Sequence, residues 1–264
     1  MSAGGSRALP FWDIEGGRKS DKINPMTRLW LVFFFSCSLA RAEVLLTDPF
    51  DGTAVDPTRW LVNTSVPGSS VSVGDGSLNL LNRGIITTVG EFASPFRIEG
   101  RFKFLNNETS NFYIWLRSTG FGQPGIGVKF EMQAEPWNPE LRQIAISDQT
   151  GTPDTWLENT LILNHSTRLI SLDTWYNFKV FDSGSEISVY FNDSNDPTLT
   201  LATTGSAGSK IAFFNREGAA GGSSISEGGV TRFDSITISV PEPSALSLLA
   251  FGLGVVLLRC RRKV

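Results

Sequence analysis

Between residues 43 and 240 the chain never runs far before a turn-forming cluster breaks it. Gly74-Asp75-Gly76, Asn106-Asn107, Asp182-Ser183-Gly184 and Asn192-Asp193-Ser194-Asn195-Asp196-Pro197 separate short runs in which apolar and polar residues alternate. Period-two alternation puts every second side chain on one face of a strand, whereas a helix needs a period of 3.6. No long helical pattern interrupts these runs, and no internal repeat divides them. The stretch has 198 residues, enough for one well-buried domain. Many antiparallel strands in one domain cover their apolar faces by stacking two sheets, so the expectation is an all-β sandwich of jelly-roll type.

The two ends differ from this body. Pro241-Glu242-Pro243 is followed by an apolar run from Ala245 to Leu258 and then by Arg259, Arg261, Arg262 and Lys263. An apolar run stopped by basic residues reads as a short transmembrane helix, 245–258, whose charged end stays in the cytoplasm. It would span roughly 22 Å against the about 30 Å of an average hydrocarbon core, thin for a permanent anchor. Everything before Pro241 is then placed outside. Near the other end, Arg28 precedes Leu29 to Phe35, and Ala40-Arg41-Ala42 offers small residues where a signal peptidase reads. Residues 26–42 therefore read as a signal peptide cleaved after Ala42. Residues 1–25 are polar, Gly-rich and aperiodic, and read as a disordered leader or a misassigned start. The domain plan is thus 1–25, 26–42, an exported body 43–240 and a tail 241–264.

The signal and the tail hold both cysteines, Cys37 and Cys260, so the body can form no disulfide and no thiolate site. His165 is the sole histidine, in a polar stretch that reads as a surface loop. Carboxylates remain for chemistry. The body carries 13 Lys and Arg against 22 Asp and Glu, a net charge of −9. So acidic a body disfavours nucleic acid and anionic lipid and admits neutral sugars or calcium.

The tail's tripeptide, its short helix with Gly252 and Gly254, and its terminal Arg cluster resemble the PEP-CTERM sorting signal of Gram-negative bacteria that make exopolysaccharide. The resemblance covers residues 241–264. It implies a partner, an exosortase, that recognises Pro241, Glu242 and Pro243 and detaches the protein from the inner membrane. Export to the cell surface or matrix follows.

A second resemblance spans residues 46–240. Asp48-Pro49-Phe50-Asp51-Gly52 with Asp56-Pro57-Thr58-Arg59-Trp60, then Gly100-Arg101-Phe102-Lys103, Phe112 to Arg117, Trp175 to Val180 with Ile187 to Phe191, and Phe233 to Ile238 are similar to concanavalin A-like sandwiches. That group includes laminin-G-like modules and the laminarinase and lichenase glycosidases. It implies the sandwich far more directly than any activity.

Period two then sorts the faces. Glu99, Arg101 and Lys103 lie opposite Ile98, Phe102 and Phe104; Tyr113, Trp115 and Arg117 lie opposite Phe112, Ile114 and Leu116; Lys129, Glu131, Gln133 and Glu135 lie opposite Val128, Phe130 and Met132. If the three runs are neighbours, as sequential strands usually are, their polar faces merge into one surface. Acids, amides and a guanidinium suit sugar hydroxyls, and aromatic rings stack on sugar C–H faces. Tyr113 and Trp115 would be platforms, with Arg117, Glu131 and Gln133 as hydrogen-bonding partners. The alternative is a solvated face that keeps the sheet soluble. Trp60 and Trp175 read as core or core edge, and Trp137 and Trp156 as loop residues.

Glu131-Met132-Gln133-Ala134-Glu135 resembles the Glu-x-Asp-x-Glu of laminarinase-like glycosidases, with Gln133 in place of the aspartate. The resemblance implies Glu131 as nucleophile and Glu135 as acid/base. Retaining hydrolysis needs carboxyls about 5 to 5.5 Å apart. Residues four apart on a strand have α-carbons about 13 Å apart, so both side chains must lean together. Glu131-x-Gln133 also resembles the Glu-x-Gln of a domain associated with 3-keto-disaccharide hydrolysis. Asp234 on the last strand, with Asp48 or Asp51, is the candidate for a structural calcium such as related sandwiches hold. The reading is an exported sandwich that associates with polysaccharide without turning it over. Its rivals are a hydrolase using Glu131 and Glu135, and a structural matrix module with no ligand.

Overall fold

The computed structural model describes residues 42–105, 111–120, 123, 125–132, 143–149, 160–203, 208–216 and 229–241, all within a unit that runs from Arg41 to Glu242. Among them are fifteen strands and no helix: β1 (Glu43–Asp48), β2 (Trp60–Asn63), β3 (Ser70–Gly74), β4 (Ser77–Leu81), β5 (Ile85–Thr88), β6 (Phe96–Phe104), β7 (Asn111–Ser118), β8 (Ile126–Glu131), β9 (Gln143–Gln149), β10 (Thr160–Thr167), β11 (Tyr176–Asp182), β12 (Glu186–Phe191), β13 (Leu199–Ala202), β14 (Lys210–Arg216) and β15 (Val230–Val240). One sheet has eight strands in the order β13-β12-β11-β6-β15-β4-β3, with β1 also paired to β15. The other has seven, β10-β9-β8-β7-β14-β5-β2. The pairing is antiparallel, and the all-β sandwich expected from the turn spacing is the fold.

Alternation decides what lies between the sheets. In β6, Phe96, Ile98, Phe102 and Phe104 are buried while Arg97, Glu99, Arg101 and Lys103 point away from the core. β11 buries Tyr176, Phe178 and Val180 in the same way. The seven-stranded sheet answers with Phe112, Ile114 and Leu116 of β7 and with Val128 and Phe130 of β8. The rings meet across the gap, Phe102 edge-on to Phe112 at 4.6 Å and Phe233 to Phe112 at 5.0 Å, while Phe112 and Phe130 stack at 4.9 Å within the seven-stranded sheet. Gly100 occupies an inward position of β6. A β-carbon there would come within 2.8 Å of the Phe178 ring, so only glycine leaves that ring its place.

This arrangement corrects one expectation. β6 is not beside β7: it pairs with β11 and β15, while β7 pairs with β8 and β14. The chain crosses from one sheet to the other between Phe104 and Asn111, because Phe102 and Phe112 bury themselves against the same core from opposite sides. The polar face of β6 and that of β7 and β8 are therefore two surfaces, not one. His165 is corrected too, since it lies on β10 opposite Ala145 and not in a loop.

The opening motif is a structural knot. Asp48, at the end of β1, is buried; its carboxylate accepts from the Phe50 N–H at 2.9 Å and from the Trp60 indole N–H at 2.8 Å, with the Arg59 guanidinium at 3.5 Å. Trp60 itself is a core residue against Phe213. Truncating a ring at the centre of the core removes buried area and leaves a cavity. Phe112→Ala is expected to lower unfolding stability by about 3–5 kcal/mol, measured as a shift of the denaturant midpoint at unchanged m-value.

Candidate functional site

The outward face of the seven-stranded sheet holds the aromatic residues that the sequence singles out. Tyr113 and Trp115 of β7 sit with Ile85 of β5 and Ala212 and Phe214 of β14 in a second buried cluster, on the face opposite the main core. Trp115 stacks on Phe214 at 5.0 Å with planes 14° apart, and Tyr113 lies 6.2 Å from the same ring. The register explains the grouping: Phe214 pairs with Tyr113 and with Ile85, and Ala212 with Trp115. Both rings have 0% exposure, so the expectation of open platforms is overturned. They stack on one another's neighbours along the sheet instead of facing water.

Beside them, β8 presents Lys129 and Glu131, two residues apart and hence on one face. Tyr113 is opposite Lys129, and Asn111 opposite Glu131. The Lys129 ammonium lies 2.6 Å from the Glu131 carboxylate, and the two residues are 5% and 6% exposed. β8 ends at Glu131; Gln133 and Glu135 lie outside the described residues. A charge-assisted contact this short holds the carboxylate in place and satisfies its negative charge. A glycosidase nucleophile needs a carboxylate oxygen within reach of the anomeric carbon, and this carboxylate is buried as well as paired. Lys129 was in view in the sequence as a polar residue of this face. Its partnership with Glu131 follows from the i, i+2 spacing.

Arg117 is turned away from this face. It has φ of +53°, a left-handed backbone that re-aims its side chain, and its Nε and terminal nitrogen donate to the two carboxylate oxygens of Asp182 at 2.8 and 2.6 Å. It also donates to the Gly184 carbonyl at 3.0 Å. Asp182 belongs to β11 of the other sheet, so this forked pair staples the two layers. The hydrogen bond to Asp182 raises the Arg117 pKa above its ordinary value, outweighing burial, and the attraction between the two charges adds to it. Arg117, expected to meet a ligand, is a bolt between sheets, and Asp182 is the residue that sequence reasoning did not single out.

The outward face of the eight-stranded sheet is open. A groove of about 330 Å³ is lined by Glu99, Arg101, Asn177, Lys179, Tyr190 and Asp193, among others. The Lys179 ammonium sits 4.1 Å from the centre of the half-buried Tyr190 ring. Asn177 donates to Asp193 at 2.6 Å. Trp175 is half-buried at the edge of the sandwich, with Arg101 and Lys103 over its ring at 4.9 and 5.1 Å. Asp234 pairs with Arg101 at 3.3 Å, and Asp48 is engaged by Trp60 and Arg59. Asp234 and Asp48 thus face cationic or N–H partners, a poor donor set for a hard cation, and Asp51, the alternative to Asp48, is exposed. Among the described residues no group of three or more His, Cys, Asp or Glu could hold a metal ion.

Residues 239–263 match the PEP-CTERM protein-sorting motif. The chain is therefore an exported protein that is anchored by its C-terminus until an exosortase processes it. Residues 242–264, including Glu242, Pro243, Arg259, Arg261 and Arg262, lie outside the described residues, and among those described no helix is long and apolar enough to cross a membrane. No curated protein matches the chain. Solved structures do resemble the sandwich. A gut-microbiota structure reported with endo-acting O-glycanases that initiate mucin breakdown aligns with a TM-score of 0.56 at 11% identity, over 76% of this chain and all of that one. The catalytic domain of an endo-1,3-β-glucanase (laminarinase) from Thermotoga petrophila gives 0.54 at 12%, over 78% and 100%. An immunostimulatory antigen and pseudo-β-1,3-glucanase of Mycobacterium tuberculosis gives 0.51 at 16%, over 76% and 100%. At these identities the likeness is one of fold: the glucanase jelly roll.

Replacing Glu131 leaves a buried ammonium beside an uncharged amide. Glu131→Gln is expected to cost about 3–5 kcal/mol of stability. The double variant Lys129→Met/Glu131→Met should recover most of that loss in a double-mutant cycle read by denaturation.

Proposed function

We propose that the exported domain binds extracellular polysaccharide without hydrolysing it. The observation that carries this reading is the buried Lys129–Glu131 pair. On a glucanase-type sandwich, the glutamate whose motif position resembles that of the nucleophile is held at 2.6 Å by an ammonium on its own strand. Gln133 stands where the glycosidase motif has an aspartate. Both features favour a fold retained for its surface. One structural neighbour, the Mycobacterium tuberculosis antigen, is a pseudo-β-1,3-glucanase, which is consistent with such a course.

The contact surface that best suits a sugar chain is the groove on the eight-stranded sheet. It offers an amide, a guanidinium, an ammonium, carboxylates and a half-exposed tyrosine, the mixture that matches hydroxyls and C–H faces. Tyr113 and Trp115, buried on the other sheet, contribute to the reading through the stability of that layer. Strand edges and sheet faces of this kind are open and shallow, suited to a long polymer lying across them.

The test uses the exported protein purified from the envelope, applied to a glycan array and to the exopolysaccharide of cells that carry an exosortase. Binding without release of new reducing ends is expected, with Tyr190→Ala weakening binding while leaving the thermal midpoint near that of the parent. Trp115→Ala should lower the midpoint first. Reducing-end release by the parent protein would overturn the reading in favour of the hydrolase. Silence on every glycan would favour the structural module.

A further inference from the structure

The strand that leads into the sorting tripeptide is sealed on both sides. β15 pairs with β6 along its length, Ser239 with Arg97 and Ile238 with Ile98. On its other edge, β4 covers Val230 to Phe233 and β1 covers Ile236 to Val240, with Glu43 opposite Val240 and Val44 opposite Ser239. Pro241, the first residue of the tripeptide, follows directly. Only Ala42 separates Glu43 from the preceding Arg41, and only Ser244 separates Pro243 from the apolar run. A processing enzyme that must grip an extended segment around Pro241-Glu242-Pro243 therefore meets a strand end that is already paired.

β1 is held unequally. Asp48 at its far end is 5% exposed and tied to Phe50, Trp60 and Arg59. Leu46 packs partly against the core. The first three residues are different: Glu43 is exposed, Val44 and Leu45 are 59% and 40% exposed, and a bulge at Leu45 interrupts the register between Val44 and Leu46. Peeling Glu43 to Leu45 off β15 gives up few hydrogen bonds and little buried apolar area, while Asp48 keeps the strand attached. Peeling it also uncovers the β15 edge over its last residues, a template for strand addition by another chain.

We propose that the N-terminal half of β1 is a latch over the end of β15, and that the exosortase-type enzyme engages the tripeptide only after this half has moved aside, docking against the freed edge at Ser239 and Val240. The inference rests on processing at Pro241-Glu242-Pro243 and is independent of what the groove binds. It makes the sorting signal larger than its tail, because the folded body contributes both the docking edge and its cover.

The body has no cysteine, so a disulfide can lock the latch cleanly. Paired antiparallel residues have α-carbons about 4.5–5.5 Å apart, inside the disulfide range of about 4.4–6.8 Å. Full-length chains carrying Cys260→Ser are expressed in cells with the exosortase, in three forms: this parent, Val44→Cys/Ser239→Cys, and Ser188→Cys/Thr200→Cys across the distant β12–β13 pair. Disulfide formation is read by non-reducing electrophoresis and tail release by mass spectrometry. The oxidised Val44–Ser239 form is expected to lose tail release and stay in the membrane, with release restored on reduction. The oxidised Ser188–Thr200 form should match the parent. Release from the oxidised Val44–Ser239 form at the parent's rate would overturn the latch, and so would an equal block in both cross-linked forms. Failure of the parent to release its tail would instead strike at processing itself.

Discussion

A layer of phenylalanine rings between the two sheets fixes everything else. Phe102, Phe178 and Phe233 reach in from the eight-stranded sheet, and Phe112, Phe130 and Phe213 from the seven-stranded one, all nearly or fully buried. Ring pairs prefer edge-on or offset contact over face-to-face overlap, so such a layer has a geometry and not merely a volume. Gly100 completes it by leaving space for the Phe178 ring. Once these rings are seated, period two leaves no freedom in which residues face outward. The Arg117–Asp182 fork and the Thr231–Asn215 hydrogen bond of 2.7 Å then tie the layers at their margins.

The outward faces that result are not equivalent. The eight-stranded sheet follows the usual antiparallel rule, with charges and amides in water. The middle of the seven-stranded sheet is buried on both sides: β7 and β8 have no exposed position, and Tyr113, Trp115 and Phe214 form an apolar cluster where solvent would be expected, while Leu61 and Val62 of the edge strand β2 are exposed. That second cluster explains the chemistry of its neighbours. Glu131, buried beside that cluster, is paired with Lys129 at 2.6 Å, and burying a charge is costly unless it has such a partner. The open, hydrated chemistry is on the other sheet, around Tyr190, Lys179 and Asn177.

The sandwich and the inward sets of β6, β7 and β8 were legible because alternation reports burial on one side directly, whereas β10, where His165 lies, read as a loop. What period two cannot report is which sheet a strand joins. Ile98–Phe104, Phe112–Arg117 and Val128–Glu131 show the same alternation, yet the first lies across the core from the other two. Nor can it tell an outward face that meets water from one covered by more chain, which is why Trp115 read as a platform. Arg117 was misplaced for a third reason. Its positive φ breaks the alternation on which the reading depended, and its partner is 65 residues away. The tail was the most legible element, since its tripeptide, apolar run and arginines carry their meaning in order alone.

The tail continues directly from the last strand in sequence, and β15 is the longest of the described strands, eleven residues, flanked by β6 on one edge and by β4 and β1 on the other. Phe233, Ile236 and Ile238 set this strand into the core. The amino-terminal strand is held differently: Asp48 is buried and tied to Phe50 and Trp60, while Glu43 to Leu45 are exposed. β15 is thus paired on both edges, and its last residues rest against the least buried part of β1.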